Sequence, residues 1–180
     1  NTDPAAPAMI FLLMFIAGAA GSVLALTMAS CGGGGAGSAT GNTLTIGIKY
    51  DHPGLGQKVG EDFKGLDVDV ARYVAKELGF EGDKVTFKET PSAQRETAIQ
   101  GGQVALIFAT YSITDARKEK VSFAGPYFIA GQDLLVAADN TAITGPETMN
   151  GKTLCSVTGS TPAEKIKKEY ATTVKLFEQD

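Results

Sequence analysis

A doubly wound α/β fold is predicted by two features of this sequence. Short apolar runs of strand length alternate with segments of four-residue hydrophobic spacing, and small-residue or N-cap loops separate them. Leu44, Ile46 and Ile48 alternate with Thr45 and Gly47 as in a strand. Leu66, Val70, Val74 and Leu78 recur every four residues and predict a helix on that sheet. Asp67 and Asp69 fall at the helix's N-terminal end, where the dipole favours negative charge, and Gly79 is placed to cap its C-terminus. Val85 to Phe87 reads as a second strand. Ser92 is positioned to cap a helix running to about Gln100, Gly101 and Gly102 break it, and Val104 to Phe108 is a third strand. Thr114-Asp115 supplies cap chemistry for the turn that carries Arg117. Asp133 to Ala138 reads as a strand crossing into a second lobe. That lobe opens with a strand at Leu154 to Val157, a loop from Thr158 to Pro162 and a helix from Ala163 to Tyr170, with Pro162 in its first turn. Ligands of such sheets bind at the carboxyl ends of strands, which points to Lys49, Thr110 and the start of the Ser92 helix.

The 180 residues divide into a signal segment at 1–30, a tether at 31–41, a first α/β lobe at 42–135 and the start of a second at 136–180. Asn1 to Ala29 has no Lys or Arg and one acid, Asp3, and Met9 to Ala29 is apolar apart from glycines, Ser22 and Thr27. Such a length could just span a bilayer, so a transmembrane helix is the competing reading. Its ending, Met28-Ala29-Ser30-Cys31, looks like a bacterial lipobox, whose small residues admit the signal peptidase and whose cysteine takes a diacylglyceryl group. A basic n-region and an initiator Met are missing, so the true N-terminus is expected upstream of Asn1. Six glycines in the ten residues after Cys31 make a flexible tether.

Charge and composition exclude several classes of function. With 16 basic and 20 acidic residues the net charge is −4, which argues against a nucleic-acid surface. One His and two distant Cys make no metal cluster, and no cofactor is implied.

The segment from Thr110 to Tyr127, TYSITDARKEKVSFAGPY, sets Arg117 beside hydroxyls and helix-start amides. A guanidinium grips a carboxylate through two parallel hydrogen bonds, and uncapped amides favour an anion, so both features point to a carboxylate ligand. Taken alone, an arginine near a helix start is more often a solvated surface charge. The Thr158-Gly159-Ser160-Thr161-Pro162 loop is a second anion cradle or an ordinary βα connection.

Gly65-Leu66-Asp67-Val68-Asp69-Val70, followed by Val74, Ala75 and Leu78, resembles the signature of the family 3 extracellular solute-binding proteins, the amino-acid receptors of ABC importers. Ile113, Thr114, Arg117, Phe123, Pro126 and Tyr127 match a second segment of that family. KYDHPGLG at Lys49 to Gly56, TPSAQRETAIQ at Thr90 to Gln100 and LCSVTGSTPAEKIK at Leu154 to Lys167 resemble the glutamate-binding lipoproteins of actinobacterial importers. The likeness runs from about Asn42 to the end of the chain. It implies a two-lobed type II periplasmic-binding-protein fold with a hinge, whose second lobe is cut short here and needs roughly another hundred residues.

The resemblance also assigns roles. Arg117 would grip the ligand α-carboxylate with the Ser112 hydroxyl beside it, the Thr110 backbone carbonyl would receive the α-ammonium, and Thr161 would close over the carboxylate. Lys49, Ser92 and Arg95 would hold a side-chain carboxylate. Each of these three has a plainer reading, as a strand-end surface charge, a helix cap and part of an exposed helix face. His52 stands where relatives have an aromatic or a glutamine and reads as a solvated loop histidine. In the resembling lipoproteins a partner for Cys155 lies in the missing part, so an exported disulfide and a lone buried thiol are both open. The implied function is capture of L-glutamate, with aspartate or glutamine as alternatives, and its delivery to an ABC permease. The protein would be a monomer held by lipid on the extracytoplasmic face of the cell membrane, and not an enzyme. A ligand-sensing receptor domain and a cyclohexadienyl dehydratase-like enzyme are the rivals, the latter requiring an acid or base over the pocket.

Overall fold

The computed structural model describes residues 39–40, 42–170 and 173–178. The expected signal segment, the lipidation site at Cys31 and all of the tether except Ala39–Thr40 lie outside the described residues. Among the described residues no helix is long and apolar enough to cross a membrane.

β1 (Ala39–Thr40) pairs antiparallel with the start of β2 (Thr43–Ile48), the predicted first strand. Leu44, Ile46 and Ile48 are buried, and each contributes about 1.5–3 kcal/mol by leaving water. A meander follows that the sequence reading did not anticipate: β3 (Asp51–His52), β4 (Gly56–Val59) and β5 (Asp62–Lys64) pair antiparallel in order. His52 is therefore a half-buried strand residue and not a solvated loop histidine. The meander is fastened to the next helix by backbone bonds from Leu66 N–H to the Gly54 carbonyl and from Asp67 N–H to the Leu55 carbonyl, both 3.0 Å.

Gly65 stands at this junction with φ +113°, and a Cβ there would fall onto the Leu55 carbonyl. Only glycine adopts that backbone next to so close a neighbour. Gly65→Ala is expected to lower stability by about 2–4 kcal/mol, read as a fall in thermal midpoint or denaturant midpoint. An unchanged midpoint would show that the meander is not held against the helix.

α1 (Leu66–Glu77) is the predicted helix, but it buries a different face. Val68, Ala71 and Ala75 pack on Leu44, Ile46 and Ile48, while Leu66 and Leu78 are exposed and Val70 and Val74 half-buried. Small side chains let the helix approach the sheet closely, so the alanines, which hydrophobic spacing underweights, mark the packed stripe. Gly79 at φ +86° ends the helix as expected.

β6 (Val85–Glu89) runs parallel to β2, with Leu44 opposite Val85 and Ile48 opposite Glu89. Ser92–Gln94 form a 3₁₀ turn that leads into α2 (Arg95–Gln100). Ser92 makes no capping bond, correcting the expected cap; the chain enters through Pro91, and the Ser92 side chain is buried. β7 is shorter than predicted, Leu106–Ile107, and lies parallel to β2 at Ile46 and Gly47. β6 and β7 thus flank β2: the chain steps from β2 to β6 on one side and then crosses past β2 to β7 on the other, the switch-point geometry of a doubly wound sheet.

α3 (Asp115–Lys118) is capped by Thr114, whose hydroxyl accepts from Arg117 N–H at 3.3 Å. The expected strand at Asp133 to Ala138 does not form, and Leu135 is fully exposed. Apolar character suits a strand, but a strand exists only where a neighbouring backbone pairs with it, and no described residue does so here. β8 (Thr153–Val157), α4 (Thr161–Glu169) and β9 (Thr173–Phe177) form a βαβ unit with parallel strands. Ser160 caps α4 by accepting from Ala163 N–H, and Ala163 and Ile166 are its buried face. Cys155 is a free and exposed thiol, which corrects the buried alternative; alternation along β8 turns Thr153 and Cys155 outward.

Candidate functional site

The carboxyl ends of β2, β6 and β7 gather most of the predicted site residues. Lys49 follows β2 directly, is only 3% exposed and lies 3.2 Å from the Asp51 carboxylate, so it is not a surface charge. Thr90, just past β6, donates its N–H and its hydroxyl to the Ile48 carbonyl at 2.9 and 3.2 Å. Its own carbonyl accepts from Arg95 Nε at 3.3 Å. Thr90 therefore ties the end of β2 to the first residue of α2. Arg95 is 3% exposed, which overturns its reading as part of an exposed helix face. Burial first and the like charge of Arg117 second push its guanidinium down to about 10, so it remains charged at neutral pH.

Arg117 is held from several sides. Nε pairs with the Glu96 carboxylate at 3.2 Å. One terminal nitrogen donates to the Ser112 carbonyl at 3.0 Å and to the Thr161 hydroxyl at 3.1 Å, and the other to the Gly159 carbonyl at 3.1 Å. These four partners take four of the five N–H donors of the fork, so a carboxylate gripped by both terminal nitrogens would displace at least one of them. The structure thus brings Arg117, Ser112 and Thr161 together, although Ser112 meets the arginine through its carbonyl and not its hydroxyl. The Gly159 loop sits against Ala93, leaving no room for a Cβ at Gly159.

Two residues that the sequence reading passed over organise the centre. The Tyr111 ring lies beneath both arginines, 5.2 Å from the Arg95 guanidinium carbon and 4.7 Å from that of Arg117. Cation–π contact with the same ring partly offsets the repulsion of two neighbouring cations. The Tyr111 hydroxyl is buried near Glu96, short of good hydrogen-bond geometry; burial first and Glu96 second raise its pKa. Burial opposes charge on Glu96 itself, but the nearby Tyr111 hydroxyl, its own backbone and Arg117 hold its carboxyl below the usual range. The available signals were weak: an aromatic in the donor-rich TYSIT segment, and an acid beside Arg95.

Thr110 is exposed at the end of β7 and carries φ +48°, the only positive φ at a non-glycine among the described residues. For a β-branched residue this costs about 1–3 kcal/mol. Its N–H donates to Asp67 Oδ2 at 2.9 Å. Asp67 and Asp69 lie in the first turn of α1 as expected; the Asp67 carboxylate is in addition buried and turned to the strand ends, whereas Asp69 is exposed.

Residues 44–179 match the bacterial extracellular solute-binding proteins, family 3. The chain belongs to this family. Its relatives include a protein of Corynebacterium efficiens named glutamate-binding protein GluB, 44% identical over 95% of this chain and 62% of that protein. The Corynebacterium glutamicum protein of the same name is 46% identical over 89% of this chain and 57% of its own length. This solute-binding protein thus spans about three-fifths of the length of those relatives. Among solved structures, an ancestral arginine-binding protein bound to glutamine superposes with a TM-score of 0.72 at 34% identity, over 78% of this chain and 62% of that one. The fold is that of the type II periplasmic amino-acid-binding proteins. Both Corynebacterium relatives are named for binding and not for catalysis.

Proposed function

We propose that this solute-binding protein captures L-glutamate outside the cytoplasmic membrane and delivers it to an ABC permease, as a monomer anchored by lipid at Cys31. The observation that carries the substrate assignment is that the buried Arg95 guanidinium has no carboxylate in direct contact among the described residues. Lys49 lies beside Asp51 and Arg117 beside Glu96, whereas no carboxylate of the described residues lies within 4.0 Å of the buried Arg95 guanidinium. A buried guanidinium stacked on the same ring as the α-carboxylate arginine, with Asp67 and Glu96 acting on it only at longer range, suits a ligand with two carboxylates. Arg117 takes the α-carboxylate, Thr161 closes over it, the Thr110 carbonyl receives the ammonium, and Arg95, with Lys49 and Ser92, receives the side-chain carboxylate. The names of the Corynebacterium relatives support glutamate.

Calorimetric titration of an amino-acid panel into the full-length natural protein tests this reading. L-Glutamate should bind most tightly, with aspartate and glutamine behind it. Preference for a basic or an aliphatic amino acid would overturn the assignment. Prephenate turnover in the same preparation would instead favour a dehydratase-like enzyme.

The anchor has its own test. In the natural host, Cys31→Ser is expected to move the processed protein from the membrane to the soluble fraction, because a Gly-rich tether holds no bilayer by itself. Processed Cys31→Ser protein that still sediments with membranes would sink the lipoprotein proposal.

A further inference from the structure

Asp67 sits in the first turn of α1, 43 residues from the loop it serves, and is 1% exposed. A carboxylate so deeply buried is costly unless its oxygens are bonded, and both are. Oδ2 accepts the Thr110 N–H at 2.9 Å and Oδ1 accepts the Tyr127 hydroxyl at 2.6 Å. The helix end that carries it is itself fixed, since Asp67 N–H donates to the Leu55 carbonyl. Thr110 is thereby pinned in a conformation a β-branched residue disfavours, and such a conformation persists only where its surroundings over-determine it.

We infer that Asp67 is a positioning residue for the amino-acid site: by holding the Thr110 amide it imposes the left-handed backbone that sets the direction of the Thr110 carbonyl toward a ligand ammonium. This rests on the receptor reading above. Tyr127 completes the clamp by occupying the second carboxylate oxygen, which keeps the first aimed at Thr110. Burial first and Asp67 second raise the Tyr127 pKa, so the phenol keeps the proton it donates.

The test is a double-mutant cycle between positions 67 and 110 in the full-length protein, with L-glutamate binding measured by calorimetry and folding by circular dichroism. Asp67→Ala frees Thr110 to relax to negative φ and should weaken binding about tenfold or more. Thr110→Gly adopts positive φ without help. Added to Asp67→Ala it should therefore recover most of the lost affinity, although glycine would only worsen a general loss of stability. Should Asp67→Ala not fold, the cycle is run with Asp67→Asn, which keeps the shape and removes the charge; coupling of the same sign and about threefold is then expected. Independent effects of the two substitutions, or parent-like binding by the Asp67 variant, would overturn the inference. Parent protein that binds no amino acid would instead overturn the receptor reading.

Discussion

Arg117→Ala is expected to abolish amino-acid binding by the full-length protein, whichever amino acids the proposed site accepts. The α-carboxylate is common to all of them, and Arg117 is the guanidinium whose terminal nitrogens meet the loops of Ser112 and Gly159 together. Removing one member of a desolvated, hydrogen-bonded ion pair costs about 2–5 kcal/mol, or roughly thirty- to several-thousandfold in affinity. The loss should extend to Arg117→Lys, which restores charge but not the planar fork or the stacking on Tyr111. Titration of glutamate, glutamine and aspartate into both variants provides the measurement. Retention of any of the three within about tenfold of the parent value would remove Arg117 from the carboxylate site. The alanine variant should fold but be less stable, because Glu96 then keeps a half-buried charge without its cation.

Arg95→Met is expected to have the next largest effect, and a selective one. Glutamate should lose about 1–3 kcal/mol, roughly five- to over a hundredfold, because the distal carboxylate loses its buried partner. Glutamine should change little, since its neutral amide forms no ion pair with Arg95 in the parent either. The ratio of the two affinities is therefore the quantity to follow, and equal weakening of both ligands would refute the side-chain assignment. Without ligand, the methionine variant should be at least as stable as the parent in thermal melts. Burial already pushes the Arg95 guanidinium down to about 10, so an apolar side chain of similar length relieves a desolvation cost that outweighs the long 3.3 Å bond it gives up to the Thr90 carbonyl.

What the sequence determined by itself lies in short-range pattern. Alternation at Leu44, Ile46 and Ile48 located β2, Pro162 marked the first turn of α4, and the Thr114 cap placed Arg117 on a helix start, because a cap or an alternating stripe is complete within a few residues. The candidate residues Lys49, Thr110 and Arg117 were legible for the same reason: each ends or follows an element whose period is local. Tertiary structure alone decided which face of α1 packs, because Ala71 and Ala75 become core only when a sheet approaches closely. It alone decided that the apolar run from Asp133 to Ala138 is no strand, since strand pairing depends on a partner that the run does not carry. The contacts that give the site its character are likewise long-range: Asp67 with Thr110, Arg117 with Thr161, and Tyr111 under two arginines from different elements. No local pattern encodes them, because the distance between such side chains is set by the order and direction of strands, and so by the way β6 and β7 flank β2.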